Sequence, residues 1–180
     1  MTTFTITVQD QGVRDALNQL LQRSQNLQPV LIQLGEDITE RTKRRFDIST
    51  KPDGQKWEDN SAATLAMLAA RLGKSYRTKE GDLNRNGMAR IANKKPLIGE
   101  SGDLRRQIIY QASTDTLSVS ATATYAAIHQ FGGRTSPHSM IPGKTIPARP
   151  FMPITANGQL YPQERADILQ AINDYLTNGR

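Results

Sequence analysis

An α+β fold, with a small and mostly antiparallel sheet packed by helices, is predicted by three features of this sequence. Apolar residues recur at helical spacing through 13–21, 30–46, 65–72 and 168–176, the period of helices with one buried face. Two short runs, Ile108–Gln111 and Leu117–Ala121, flank the polar turn Ser113-Thr114-Asp115-Thr116 and read as a hairpin. Residues 132–147 are rich in Gly, Pro and Ser with no apolar period, which predicts a long loop.

In chain order, Thr3–Val8 places Phe4, Ile6 and Val8 on one face, the alternation of a half-buried strand. A helix carrying Val13, Leu17, Leu20 and Leu21 follows. Pro29 suits the first turn of a second, long helix. There Val30, Leu31, Leu34, Ile38 and Phe46 form the stripe, and Glu36, Asp37, Glu40, Arg41, Lys43 and Arg44 are mostly its wet side. Its acids lead and its bases trail, which complements the helix dipole. Pro52-Asp53-Gly54 is a turn, because proline presets one dihedral and glycine permits a positive one. Asn60 or Ser61 can cap a third helix through Leu65, Leu68 and Leu72, closed by Gly73. Residues 74–95 are polar, basic and glycine-punctuated, which predicts a mobile insertion. Ser101 or Asp103 starts a short helical turn carrying Leu104. Pro162 opens the last helix, and Asn178-Gly179 ends it.

Length and composition bound the chain further. At 180 residues it is read as one domain, 1–180, with the basic insertion at 74–95 and the extended loop at 132–147. No cysteine is present, which excludes disulfides and thiolate metal sites and fits a reducing cytoplasm. The first residues lack a basic segment and an apolar segment, so no signal peptide is expected. No run approaches the roughly 20 apolar residues of a membrane helix. The net charge of +6 is unevenly placed: residues 71–110 hold ten basic and four acidic residues, a balance of +6, and the remainder is near neutral. Within that window Lys74, Arg77, Lys79, Arg85, Arg90, Lys94 and Lys95 are candidates for contact with DNA phosphates or an acidic partner. Tyr76 is the aromatic among them, and no recognition-helix signature accompanies them.

Catalysis finds little support. His129 and His138 stand nine apart without neighbouring carboxylates, and two histidines are too few for a zinc site. Gly99-Glu100-Ser101-Gly102 begins like a nucleophile elbow, but Asp103 occupies the place of the required glycine. No phosphate-binding loop is present. The expectation is a protein that is not an enzyme, with no metal and no cofactor.

The candidate contact residues lie elsewhere. Trp57 follows the turn at Gly54. Tyr125-Ala126-Ala127-Ile128-His129-Gln130-Phe131-Gly132-Gly133 reads as a strand with a flexible glycine exit. Ile146-Pro147-Ala148-Arg149-Pro150-Phe151 is stiffened by its prolines into a hook presenting Arg149 and Phe151, residue types enriched at interface hot spots. The alternatives are that His129 is a hydrogen-bonded structural residue, that Trp57 is a core anchor, and that Phe151 packs into its own domain while Arg149 pairs with a local acid.

The order of these motifs resembles the Mu-like phage virion-morphogenesis family, whose members are tail-completion proteins. The likeness runs from about residue 30 to the last helix. It takes in the long helix ending near Phe46, Pro52-Asp53-Gly54 with Trp57, the helix at Thr64-Leu65, Gly99–Ile108, the hairpin, Tyr125–Gly133 and Ile146–Phe151. Ser101 stands where many relatives carry threonine. The resemblance implies a structural protein for tail completion and head–tail joining, a ring-forming subunit at the tail or neck, with six copies suggested by tail symmetry. Its partners would be copies of itself and other tail and neck proteins, met in the host cytoplasm and then in the virion. Trp57, Tyr125, His129, Phe131, Gly132, Gly133, Arg149 and Phe151 are the candidate partner-interface residues. A head-side connector or tail terminator is the structural alternative. A non-specific DNA-binding module using the basic window is the alternative of another class.

Overall fold

The structure, a computed structural model, describes residues 11–99, 101–139 and 142–179. The strand expected at Thr3–Val8 lies outside them. In chain order the elements are α1 (Gln11–Gln25), α2 (Gln28–Ile48), α3 (Ala62–Arg71), a 3-10 turn (Lys74–Tyr76), α4 (Arg85–Ala92), α5 (Asp103–Arg106), β1 (Ile108–Ala112), β2 (Leu117–Ala121), α6 (Ala126–Phe131), β3 (Gly133–Arg134), β4 (Thr145–Ile146) and α7 (Pro162–Asn178). The fold is α+β, 51% helical and 12% strand, so helices build the scaffold and two antiparallel pairs decorate it.

α2 is the spine. Val30, Leu34, Ile38, Thr42 and Phe46 are all buried, one residue per helical turn along a single face. The stripe turns polar in its second half, where Thr42 and Arg45 stand between Ile38 and Phe46. Ser49 closes the helix in the left-handed region, φ 55°, a common helix ending. β1 pairs with β2 from Ile108↔Ala121 to Ala112↔Leu117, and this hairpin packs against α2. Contact is closest at Gly35, where a Cβ would stand 2.3 Å from the Tyr110 ring. A glycine-to-alanine change inside a helix ordinarily stabilises by about 1 kcal/mol. At Gly35 the ring must move, so Gly35→Ala is expected to lower the denaturation midpoint instead. A raised midpoint would show that Tyr110 is not pressed against the helix.

Below the C-terminal half of α2 sits the aromatic core. The Phe46 ring meets Trp57 edge-on at 5.3 Å and Phe151 at 5.2 Å. Leu104, Ile108, Ala123 and Ala126 complete the cluster. Trp57 reaches it through the turn at residues 51–54, where Gly54 has φ 83° and Trp57 N–H donates to Ser49 O at 2.9 Å.

Two expectations are corrected, and a third segment gains detail. Residues 126–131 form a helix, not a strand: Ala126 and Gln130, four apart, are its buried positions. Residues 74–95, expected as a mobile insertion, contain a 3-10 turn and α4. Asn84 caps α4 by accepting from Gly87 N–H, and Arg77 ties the segment to α3 through Ala69 O at 2.8 Å and Leu72 O at 3.3 Å. Gly73 does not close α3 with a left-handed turn; its backbone is extended, φ −72° and ψ 178°. The apolar residues of α1 also differ from the core stripe that their spacing suggests. Val13, Leu17, Leu20 and Leu21 are between 39% and 57% exposed. α1 is instead tied by polar contacts at its C-terminal end, where Arg23 donates to Leu176 O and Thr177 O at 3.0 and 2.7 Å. Those are carbonyls in the last turn of α7, which a cation suits.

Candidate functional site

The chain from Arg149 to Ile154 forms a strap with a bend at Met152 and Pro153, and side chains rather than a sheet hold it. Pro150 and Pro153 have no N–H to give. From Arg149 to Pro153 the other donors are all used: Arg149 N–H to His129 O at 2.7 Å, and Phe151 and Met152 N–H to Gln130 Oε1, each at 2.9 Å. The Gln130 amide group also donates to Ile154 O at 3.0 Å. Trp57 Nε1 donates to Pro150 O and Arg45 Nη1 to Phe151 O, both at 2.8 Å. A buried backbone must have its polar groups paired, and here Gln130, Trp57 and Arg45 pair them.

Arg45 joins the strap to α7. Its guanidinium is buried and ion-paired with Glu164, itself buried in the first turn of α7. Arg41 donates to the other carboxylate oxygen at 3.0 Å. Burial pulls the Arg45 pKa below its ordinary value, and Glu164 opposes that shift. Arg149 works in the other direction, donating from Nε to Glu58 O and from Nη2 to Asp59 O, both at 2.7 Å.

The eight expected interface residues therefore divide. Trp57, Arg149 and Phe151 are buried in the chain's own core, so the hook points inward and its proline stiffness serves the fold. The acids named for Arg149 are backbone partners: it binds the carbonyls of Glu58 and Asp59. Gly132 ends α6 at φ 72°, ψ −177°, a conformation confined almost to glycine. A Cβ there would stand 2.9 Å from Ala148 N. Gly133, φ 146°, starts the short β3–β4 ribbon, Gly133↔Ile146 and Arg134↔Thr145, at the base of the expected loop. Tyr125 and Phe131 are left exposed, at 44% and 47%, one at each end of α6.

His129 lies between these groups. It stacks edge-on with Tyr125 at 5.9 Å, and its Nδ1 is buried with no partner among the described residues. Burial, and then the charge of Arg149, hold its pKa below the ordinary histidine value. The folded state thus favours the neutral ring, and the unfolded chain binds more protons once pH falls through about 6.5. This contribution to stability is present above the unfolded pKa and is lost as pH falls toward the lower folded value. Wild-type denaturation midpoints are expected to drop from about pH 7.5 to about pH 5, with a shallower drop for His129→Gln. Parallel profiles would remove His129 from the account.

The seven basic residues also divide. Arg77 is used within its segment, as above. Arg90 stacks over Tyr76 at 5.7 Å. Lys94 donates to Ile98 O and Lys95 to Asp47 O. Lys74, Lys79 and Arg85 stand exposed. Sequence reasoning missed Gln130, Arg45 and Glu164. A signal for Gln130 existed in its four-residue spacing from Ala126; nothing local marks the Arg45–Glu164 pair.

Among the described residues no group of three or more His, Asp or Glu is placed to hold a metal. No helix there is long and apolar enough to cross a membrane.

Comparison with known proteins gives two matches. A family profile described as the phage virion morphogenesis family matches residues 8–177. Mu-like prophage FluMu G protein 2 of Haemophilus influenzae is 36% identical over 86 residues, 48% of this chain and 55% of that relative. The match thus spans about half the length of that relative. No solved structure matches the chain.

Proposed function

The chain belongs to the phage virion morphogenesis family, a family of phage structural and assembly proteins, and from that premise we propose that it is a non-catalytic tail-completion subunit that forms a ring at the tail or neck. The supporting observation is the apolar face of α1. Four large aliphatic side chains on one helix face stand exposed, and contiguous exposed apolar surface of this kind marks an interaction site. A helix of 15 residues is marginal on its own in water, so docking onto a neighbour would complete it. Tyr125 and Phe131 add a second exposed apolar area of the type that anchors interfaces.

On this reading the strap, pinned by Gln130 and Arg45, keeps the body of the subunit rigid while α1 reaches out. Assembly takes place in the host cytoplasm and the product joins the virion. Negative-stain images of the purified protein, alone and mixed with tail tubes, test it. Rings, or particles seated on tube ends, are expected, and Leu17→Glu with Leu21→Glu is expected to abolish both while leaving the circular dichroism of the body intact. A persistent monomer that ignores tails would overturn the proposal.

A further inference from the structure

Two adjoining cavities, of about 460 and 330 Å³, run between the α3–α4 segment and the core. They share Lys94, Lys95, Ile98 and Gly99, so together they form one groove. Its floor is apolar, with Leu68, Ala89, Ile98 and Leu104 contributing. Its cations are Arg90, Lys94 and Lys95, and no carboxylate lines either cavity among the described residues. Leu97, which lines the inner cavity, has φ 60°, backbone strain of a kind that clusters at binding sites. The Nδ1 of His129, without a partner among the described residues, belongs to the same wall.

We propose that this groove is a docking site for an extended acidic peptide segment carrying one bulky apolar anchor, supplied by a partner protein in the assembly. Charge complementarity selects the acidic character: Arg90, Lys94 and Lys95 line the groove with no carboxylate among the described lining residues to offset them. The pit selects the anchor, because it offers aliphatic carbon and space for a large side chain, which phosphates and sugars would not use. A protein partner rests on the assembly reading above, but the groove is testable on the isolated chain without rings or tails.

The probe is a fluorescein-labelled twelve-residue peptide of glutamates and aspartates around a single central phenylalanine, followed by fluorescence anisotropy at low salt. Two charge-matched double variants separate the groove from general attraction. Arg90→Glu/Lys95→Glu is expected to weaken binding at least about tenfold, whereas Lys79→Glu/Arg85→Glu, at residues that line neither cavity, changes it little. Ala89→Trp fills the pit at constant charge and is also expected to weaken binding at least about tenfold, as is replacement of the phenylalanine by serine. Unchanged denaturation midpoints exclude misfolding as the cause. No binding to wild type, equal losses in both charge variants, or tighter binding to a duplex oligonucleotide than to the peptide would each overturn the proposal. Rings that form while the peptide fails to bind would reject the groove and leave the assembly reading standing.

Discussion

Glu164→Ala is expected to destabilise the fold by about 3–5 kcal/mol, the cost of leaving a buried guanidinium without its counter-charge. Arg45 is 7% exposed and Glu164 4%, so the guanidinium is largely withdrawn from water when it loses the carboxylate. Arg41, bound to the same group at 3.0 Å, then keeps only the more distant Asp167, at 3.9 Å, to offset its repulsion of Arg45. The destabilisation should appear as a lower urea midpoint with an unchanged slope. Arg45→Met/Glu164→Met isolates the pair. Removing both charges avoids the stranded ion, so the double variant should be less destabilised than the two single losses added together. It should not recover fully, because Phe151 O loses its donor. Additive single and double effects would mean that the pair is not coupled, and the link between α2 and α7 would need another basis.

Gln130→Ala is expected to cost on the order of 3–5 kcal/mol, since unsatisfied buried groups cost about 1–3 kcal/mol apiece. One side chain closes three backbone groups of the strap, those of Phe151, Met152 and Ile154, so its removal orphans all three. Amide hydrogen exchange gives a local readout: protection at Phe151 and Met152 should fall more than protection in β1. Gln130→Glu keeps the acceptor for the two N–H groups and loses the donor to Ile154 O. It should retain more of the protection at Phe151 and Met152 than alanine does. If both variants exchange like wild type at these positions, the strap is held by Arg45, Trp57 and the packing of Phe151 without Gln130.

The elements that local chemistry defines were legible in the sequence. Pro162 and Gly179 bracket α7, the latter in the left-handed region at φ 73°. Ser61 caps α3 by accepting from Thr64 N–H, and the hairpin turns where Ser113–Thr116 lies. What sequence reading missed depends on groups far apart in the chain. α4 has little apolar period, with Met88 57% exposed, and it is positioned by Gly87, whose lack of a side chain lets the helix approach Tyr76 O. α6 was read as a strand because a six-residue segment shows less than two helical turns, too little for its period to register. Phe151 and Trp57 carry interface-like chemistry in sequence. Only the partners at Pro150 and Phe46 reveal that this chemistry is turned inward.

The strap has one more consequence, for solubility. An extended segment near a surface normally invites a second chain to add itself as a strand, and proteins blunt such edges with proline and by committing their hydrogen bonds. From Arg149 to Pro153 every N–H is either missing or already donated within the molecule. The segment has no donor left with which to template intermolecular pairing. The run from Arg149 to Pro153 can thus cross the molecule without becoming a seed for aggregation at high protein concentration.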